Sequence, residues 1–257
     1  MKAGDFAGLQ SALAKLIDDA RQHADVVVVT AGSLLRDHEW VGELIPFIER
    51  LADDHVWLSA VQEGLLLRWA EPQAAADAAL LDIGGGSVQL VHGPSAKDCK
   101  IESWPFGTYA IEEKFDLKQG SDEAKYEVAA ASLDKTLRES HLPNVSSLIV
   151  GSNIMGTFMR RLASLLDVSA KWDSESLSRA WRYCSSLPSD DFDEVFPQNP
   201  GFMYGADKAM LTAAVFANVL NVDTVVGTDA SVSEGLAALV RDAEKRGVAL
   251  AEAMPVG

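Results

Sequence analysis

Several features that would place a protein in a special class are scarce in this sequence of 257 residues. Its 2 cysteines, Cys99 and Cys184, are too few for a disulfide framework and stand outside any metal-ligand spacing. Charged residues interrupt every apolar stretch well before the roughly 18 residues that a membrane helix requires. The N-terminal residues lack the apolar segment of a signal peptide. We therefore expect a cytoplasmic protein with no membrane partner.

Basic residues are also scarce, since 22 Lys and Arg stand against 38 Asp and Glu, which gives a formal net charge of −16. The simplest interpretation of this excess of acid is solubility. Duplex nucleic acid is not expected as a partner, because it is bound through a basic surface. A phosphorylated ligand would have to be bound by a local arrangement of backbone and side chains.

The hydrophobic pattern predicts an α/β protein with two lobes, at residues 1–76 and 77–257. In the first lobe the order is α-β-α-β-α, and the apolar run at residues 26–29 is typical of a parallel strand buried on both faces. In the second lobe three strands without an intervening helix, at residues 79–82, 88–92 and 100–104, predict an antiparallel start to a sheet. The later elements are predicted as helices at residues 122–139, 156–166, 174–186, 206–220 and 232–246 and strands at 147–151 and 224–227.

One loop of the second lobe carries the strongest chemical signal. An apolar strand delivers Asp82 and Ile83 into three glycines and a serine, Gly84, Gly85, Gly86 and Ser87. Glycines can take positive φ and let backbone N–H groups approach an anion closely, so the loop predicts a phosphate site. Asp82, at the end of the strand, is suited to hold a hard metal ion beside that phosphate. The alternative is a plain glycine-rich hairpin turn with aspartate as a turn former.

The segment from Asp82 to Ser87, followed by Val88-Gln89-Leu90, closely resembles the phosphate motif of the exopolyphosphatase and guanosine pentaphosphate phosphatase (Ppx/GppA) family. Further motifs of that family have counterparts in the same order along the chain, at residues 29–37, 59–64, 103–107, 205–207 and 233–235. The resemblance implies the actin-like (sugar kinase and heat-shock protein) ATPase fold, which has two lobes.

The resemblance also implies an activity, namely hydrolysis of the terminal phosphate of polyphosphate or of guanosine pentaphosphate, with Mg²⁺ as the cofactor. Glu63 is then expected as the general base that activates water, and Asp82 as the catalytic, metal-associated carboxylate. Arg36 and the loop from Gly84 to Ser87 are expected to bind phosphate. Two plainer roles stay open: Arg36 pairs with a neighbouring acid such as Asp37, and Glu63 is a solvated acid at a helix N-terminus.

The sequence departs from the family pattern at several points. Nothing like the family's first phosphate loop precedes Gly8, so the first lobe is expected to be incomplete. Gln89 stands where the family has a glutamate and cannot bind a metal as an anion. The segment of the presumed base retains Glu63 as its carboxylate, and the alternative alignment would place the base at Gln62.

These departures keep two other functions open beside phosphatase activity. One is a phosphate- or nucleotide-binding module without catalysis, and the other is one half of a split enzyme. An incomplete first lobe with two strands would also expose an apolar sheet edge. We therefore predict a homo-oligomer, or a complementing chain, assembled through residues 1–70.

Overall fold

The computed structural model describes residues 6–32, 35, 39–118, 122–151, 155–169, 171–187, 205–248 and 250–254. The chain forms two compact units, Met1–Ala60 and Val61–Gly257. The sequence pattern divides the lobes after residue 76, whereas the contacts divide the chain about one helix earlier. The reason is the packing of residues 61–70, where Leu66 and Leu67 are buried and Gly64 lies against Val91 and Ile101.

The described part of the first unit contains two helices and two strands: α1 (Phe6–Arg21), β1 (Val28–Ala31), α2 (Val41–Glu49) and β2 (Asp54–Trp57). The strands pair in parallel, with Val28 opposite Asp54 and Ala31 opposite Trp57. The prediction that this apolar run is buried on both faces is wrong. In β1, the residues from Val28 to Thr30 are half-buried and Ala31 is buried. Val26, before the strand, is 65% exposed.

The second unit is built around one mixed sheet. Its elements in chain order are α3 (Ala60–Ala70, starting at the last residue of the first unit), β3 (Ala78–Ile83), β4 (Val88–His92), β5 (Lys100–Trp104), α4 (Thr108–Phe115), α5 (Glu123–Arg138), β6 (Ser147–Gly151), α6 (Met155–Leu166), α7 (Ser174–Ser186), α8 (Ala206–Leu220), β7 (Val225–Gly227), α9 (Val232–Arg246) and α10 (Leu250–Ala253). The strand order is β5-β4-β3-β6-β7. As predicted, β3, β4 and β5 are antiparallel, while β6 and β7 continue the sheet in parallel with β3.

Among the helices that the structure describes in the second unit, α8 is the most deeply buried. Its side chains are buried from Ala206 to Ala217, which is typical of a helix that is apolar on nearly every side. Three residues in this stretch are polar and not apolar, yet they are buried as well: Asp207, Lys208 and Thr212. Among the helices in the described ranges, none has both the length and the apolar character needed to cross a bilayer.

The carboxyl ends of the parallel strands β3, β6 and β7 meet at one edge of the sheet. Ligands of open α/β sheets bind at this edge. Asp82, the penultimate residue of β3, lies opposite Gln89 of β4 on one side and opposite Gly151 of β6 on the other. The glycine loop (Gly84–Ser87) follows directly and joins β3 to β4.

Candidate functional site

Backbone hydrogen bonds hold the glycine loop against α4, the helix that follows β5. Within the loop, the N–H of Gly84 donates to the carbonyl of Ser87 at 3.0 Å. The first N–H groups of α4 donate to the loop, from Thr108 to the Gly84 carbonyl at 3.0 Å and from Tyr109 to the Gly85 carbonyl at 2.9 Å. A helix N-terminus has unpaired donors, and here the loop carbonyls satisfy them. These α4 donors therefore bind the loop itself.

Close approach, and not left-handed backbone, explains why glycine occurs here. In the described residues, the glycines with positive φ are Gly93, Gly205 and Gly247. A Cβ atom on Gly107 would lie 2.4 Å from the carbonyl oxygens of Gly84 and Gly85, and one on Gly84 would lie 3.1 Å from the Ser87 carbonyl. Backbone packs on backbone at both positions, so a side chain would displace the loop.

Two buried carboxylates lie together beside the loop. Asp82 on β3 is 8% exposed, and Glu63 in the first turn of α3 is 9% exposed. Burial, together with the negative charge of Glu63, raises the pKa of Asp82 to about 7. Two like charges in a poorly solvated place disfavour the ionised form. A bound cation would reverse this effect.

Gln89 connects the carboxylates to the loop. It is 1% exposed and faces Asp82 across the β3–β4 pair and Ser103 across the β4–β5 pair. Its amide Nε2 donates to Ser87 Oγ at 2.8 Å and to Glu63 Oε2 at 3.3 Å, and it lies 3.4 Å from Ser103 Oγ. A glutamate at this position could not donate these hydrogen bonds while ionised. Gln89 is thus the central donor of the site.

The structure brings most of the predicted site residues into one place. Glu63, Asp82 and Ser87 lie around the Gln89 amide, and the Glu63 carboxylate accepts a hydrogen bond from it. Arg36 lies outside the described residues. Sequence reasoning missed Ser103 as a member of the site, although alternation along β4 and β5 could have indicated that residues 89 and 103 share a face.

The set of carboxylates beside the loop is small for a metal site. No group of three or more His, Cys, Asp and Glu side chains arranged for a metal ion occurs in the described parts of the chain. Mg²⁺ is commonly bound by one or two carboxylates, with water and substrate phosphates as the other ligands. Of the two buried carboxylates beside the loop, Asp82 is the one that could hold such an ion, with Glu63 close by. The raised pKa of Asp82 agrees with a place where a cation would stabilise the ionised form.

A second buried polar cluster lies under α4 and was not predicted. Lys208 Nζ lies 3.1 Å from Asp207 Oδ1 and 3.1 Å from Glu112 Oε2. The hydroxyl of Tyr126 donates to Asp207, and burial together with the charge of Asp207 raises the pKa of Tyr126. Glu112 belongs to α4, the helix whose N-terminus holds the glycine loop. The cluster therefore joins the support of the loop to the central helix α8.

Comparison with known proteins gives a consistent result. Residues 21–171 match the Ppx/GppA phosphatase family. The structure of the Aquifex aeolicus member of the Ppx/GppA protein family is similar, with a TM-score of 0.70 and 18% identity over 94% of this chain and 81% of that chain. An exopolyphosphatase from Cytophaga hutchinsonii gives a TM-score of 0.71 and 17% identity over 93% of this chain and 81% of that chain.

Among the curated proteins compared, none matches the sequence. At these identities the solved structures establish the fold alone. They confirm the predicted α/β fold, which is that of the Ppx/GppA structures.

Proposed function

Because the chain belongs to the Ppx/GppA phosphatase family, we propose that it hydrolyses the terminal phosphoanhydride bond of polyphosphate or of guanosine pentaphosphate. The observation that carries this proposal is the pair of buried carboxylates, Glu63 and Asp82, beside the glycine loop. In the reaction, a water oxygen bonds to the terminal phosphorus while the bond from that phosphorus to the bridging oxygen breaks. The products are inorganic phosphate and a substrate shortened by one phosphate.

Glu63 is proposed as the general base of this reaction. Its carboxylate accepts the proton of the attacking water as the new bond to phosphorus forms. The hydrogen bond from the Gln89 amide to Glu63 Oε2 orients this carboxylate. A general base must be held within hydrogen-bond reach of the proton it takes, so Gln89 acts as a positioning residue.

The glycine loop is proposed to bind the terminal phosphate through its backbone. The N–H groups of Gly85 and Gly86 donate to no other residue in the described part of the chain, so both can donate to phosphate oxygens. The Ser87 hydroxyl lies at the end of the same loop and accepts a hydrogen bond from Gln89, which fixes its oxygen. Successive backbone N–H groups of this kind form an anion site without a cationic side chain.

Mg²⁺ is proposed as the cofactor, with Asp82 as its protein ligand and Glu63 close by. When bound, such an ion neutralises charge on the transferred phosphoryl group. Because the pKa of Asp82 is raised to about 7, binding of the ion near pH 6 is expected to release a proton from this carboxyl. This release can be measured by calorimetry in two buffers, independently of activity.

Phosphate or nucleotide binding without turnover is the second candidate function. The observation that favours it is Gln89, which places a neutral amide among the acidic side chains and reduces the number of anionic metal ligands. Under this alternative the loop would bind polyphosphate, and the bound chain would remain intact.

Phosphate release from inorganic polyphosphate, measured with the full chain and Mg²⁺, separates the two functions. Glu63→Gln is expected to release phosphate about 10²–10⁴-fold more slowly than the wild type, since it removes the base. Glu139→Gln, the same change at an exposed residue at the end of α5, is the matched control and is expected to be unchanged. Polyphosphate that binds to the wild type but is not cleaved would support the binding module, and absence of binding would contradict both functions.

A further inference from the structure

Two neighbouring cavities lie on the second unit near the turn between β4 and β5. One has a volume of about 410 Å³ and the other of about 260 Å³. Both are lined by Trp69 of α3 and by Ala96 and Lys97 of the turn. The glycine loop joins the opposite end of β4, so these cavities are separate from the candidate site described above.

The charged side chains that line the two cavities are all cationic. They are Arg68, Lys97 and Arg246, and no described carboxylate joins them in the lining. This composition is unexpected in a chain with 38 acidic and 22 basic residues. Arg246 is paired with Asp242 at 3.0 Å, whereas Lys97 forms no ion pair within the described ranges.

Arg68 is a buried cation whose charge has no anionic partner in the described part of the chain. The side chain is 4% exposed, and its guanidinium donates to the carbonyls of Glu71 at 2.5 Å, Ala74 at 3.3 Å and Pro94 at 3.2 Å. The carbonyl groups satisfy the N–H donors and offer partial negative charge, but no full negative charge balances the guanidinium. Burial of an unpaired charge is costly, and an anion in the adjoining cavity would offset that cost.

Trp69 gives the same place a flat apolar surface. The indole is half-buried and forms no ring contact or hydrogen bond with another residue that the structure describes. Pro72 and Pro94 line the smaller cavity beside it. An aromatic ring of a ligand would pack on this surface, and the nearby cations would attract its negative charge.

We propose that these cavities bind a small anion that carries an aromatic ring. The ring packs against Trp69, and the anionic group lies between Arg68 and Lys97. This binding requires no catalysis and does not depend on the phosphatase activity proposed above.

The test is a fluorescence titration of the full chain with 8-anilinonaphthalene-1-sulfonate, an aromatic sulfonate. Lys97→Glu, which reverses one charge, and Trp69→Leu, which removes the ring surface, are each expected to weaken binding by about tenfold. Lys171→Glu makes the same charge change at an exposed residue outside both cavities and is expected to bind within about twofold of the wild type. Arg68 is left intact, because its three hydrogen bonds to backbone also support the fold.

A neutral probe, N-phenyl-1-naphthylamine, separates charge recognition from apolar binding. It is expected to bind the wild type at least about tenfold more weakly than the sulfonate. Equal affinity for both probes would overturn the proposal, as it would show a purely apolar pocket. Unchanged sulfonate affinity in folded Lys97→Glu and Trp69→Leu would also overturn it, because the probe would then bind elsewhere.

Discussion

Two buried clusters of carboxylates in the second unit differ in how their charge is balanced. In one, Lys208 lies 3.1 Å from both Asp207 and Glu112. In the other, Asp82 forms no ion pair with a described residue, and the charge of Glu63 has the same sign as its own. A cluster that contains its own cation is a structural unit. A cluster of like charges costs stability and is typical of a site that binds or reacts.

The largest effect is expected when the balanced cluster is broken. Lys208→Met removes the buried cation and leaves the carboxylates of Asp207 and Glu112 without it, which is expected to cost about 3–5 kcal/mol in the free energy of unfolding. Urea unfolding measures the change. Lys135→Met, at an exposed residue of α5, is the control and is expected to stay within about 0.5 kcal/mol of the wild type. A loss below about 1 kcal/mol for Lys208→Met would show that the cluster is not a structural unit.

The second-largest effect is expected when the unbalanced charge of Asp82 is removed. The pKa of Asp82 is about 7 in the folded protein, against an ordinary value of 3.8. Between these values the unfolded chain has lost the proton that the folded chain retains, so this group lowers stability as pH rises through that range. At pH 8, and without divalent metal, Asp82→Asn is expected to be more stable than the wild type by about 2–4 kcal/mol.

The measurement is urea unfolding of both proteins at pH 4 and pH 8. The advantage of Asp82→Asn is expected to be small at pH 4, where the aspartate is protonated in the folded state and still partly protonated in the unfolded chain. Excess Mg²⁺ is expected to reduce the advantage at pH 8, because the metal would bind the folded wild type. A stability difference that is the same at both pH values would contradict the charge imbalance.

The smallest effect is expected when the amide of Gln89, which lies beside Glu63 and Asp82, is replaced. Gln89→Glu replaces a donor to Glu63 and Ser87 with a third carboxylate opposite Asp82. Like charges raise carboxyl pKa values further, so the acidic limb of the pH profile of phosphate release is expected to shift upward by about one unit. Gln73→Glu, at an exposed position, is the control. A higher rate with an unshifted profile would instead indicate that Gln89 replaces a lost metal ligand.

The strands and the central helix could be predicted from the sequence because burial imposes a simple pattern. Strands β3 and β4 are buried along nearly their whole length and appear as apolar runs, and α8 is apolar on nearly every side. Helix α4 was not predicted. Its N-cap residue, Gly107, makes no side-chain cap, and its first N–H groups are satisfied by the glycine loop. The start of this helix therefore depends on a tertiary contact that local sequence does not encode.

The motif of the site could be predicted, but not the network around it. Asp82 and Ser87 follow from the glycine motif, whereas the donor role of Gln89 and the proximity of Ser103 depend on strand register. The burial of Lys208 could not be predicted, because a lysine after an aspartate at the start of a helix is ordinarily solvated. Only the packing of α4, α5 and α8 around it makes the residue buried.

The contact between α9 and α3 has a consequence for how variation in the sequence can act on function. A Cβ atom on Gly235 would lie 1.8 Å from the carbonyl oxygen of Leu66, so any other residue must push the two helices apart. Helix α3 carries Glu63 at one end and Trp69 near the other. A genetic screen for loss of activity is therefore expected to recover substitutions of Gly235, although this residue lies far along the chain from the glycine loop. Such substitutions would act by displacing α3, whose backbone lies against Gly235.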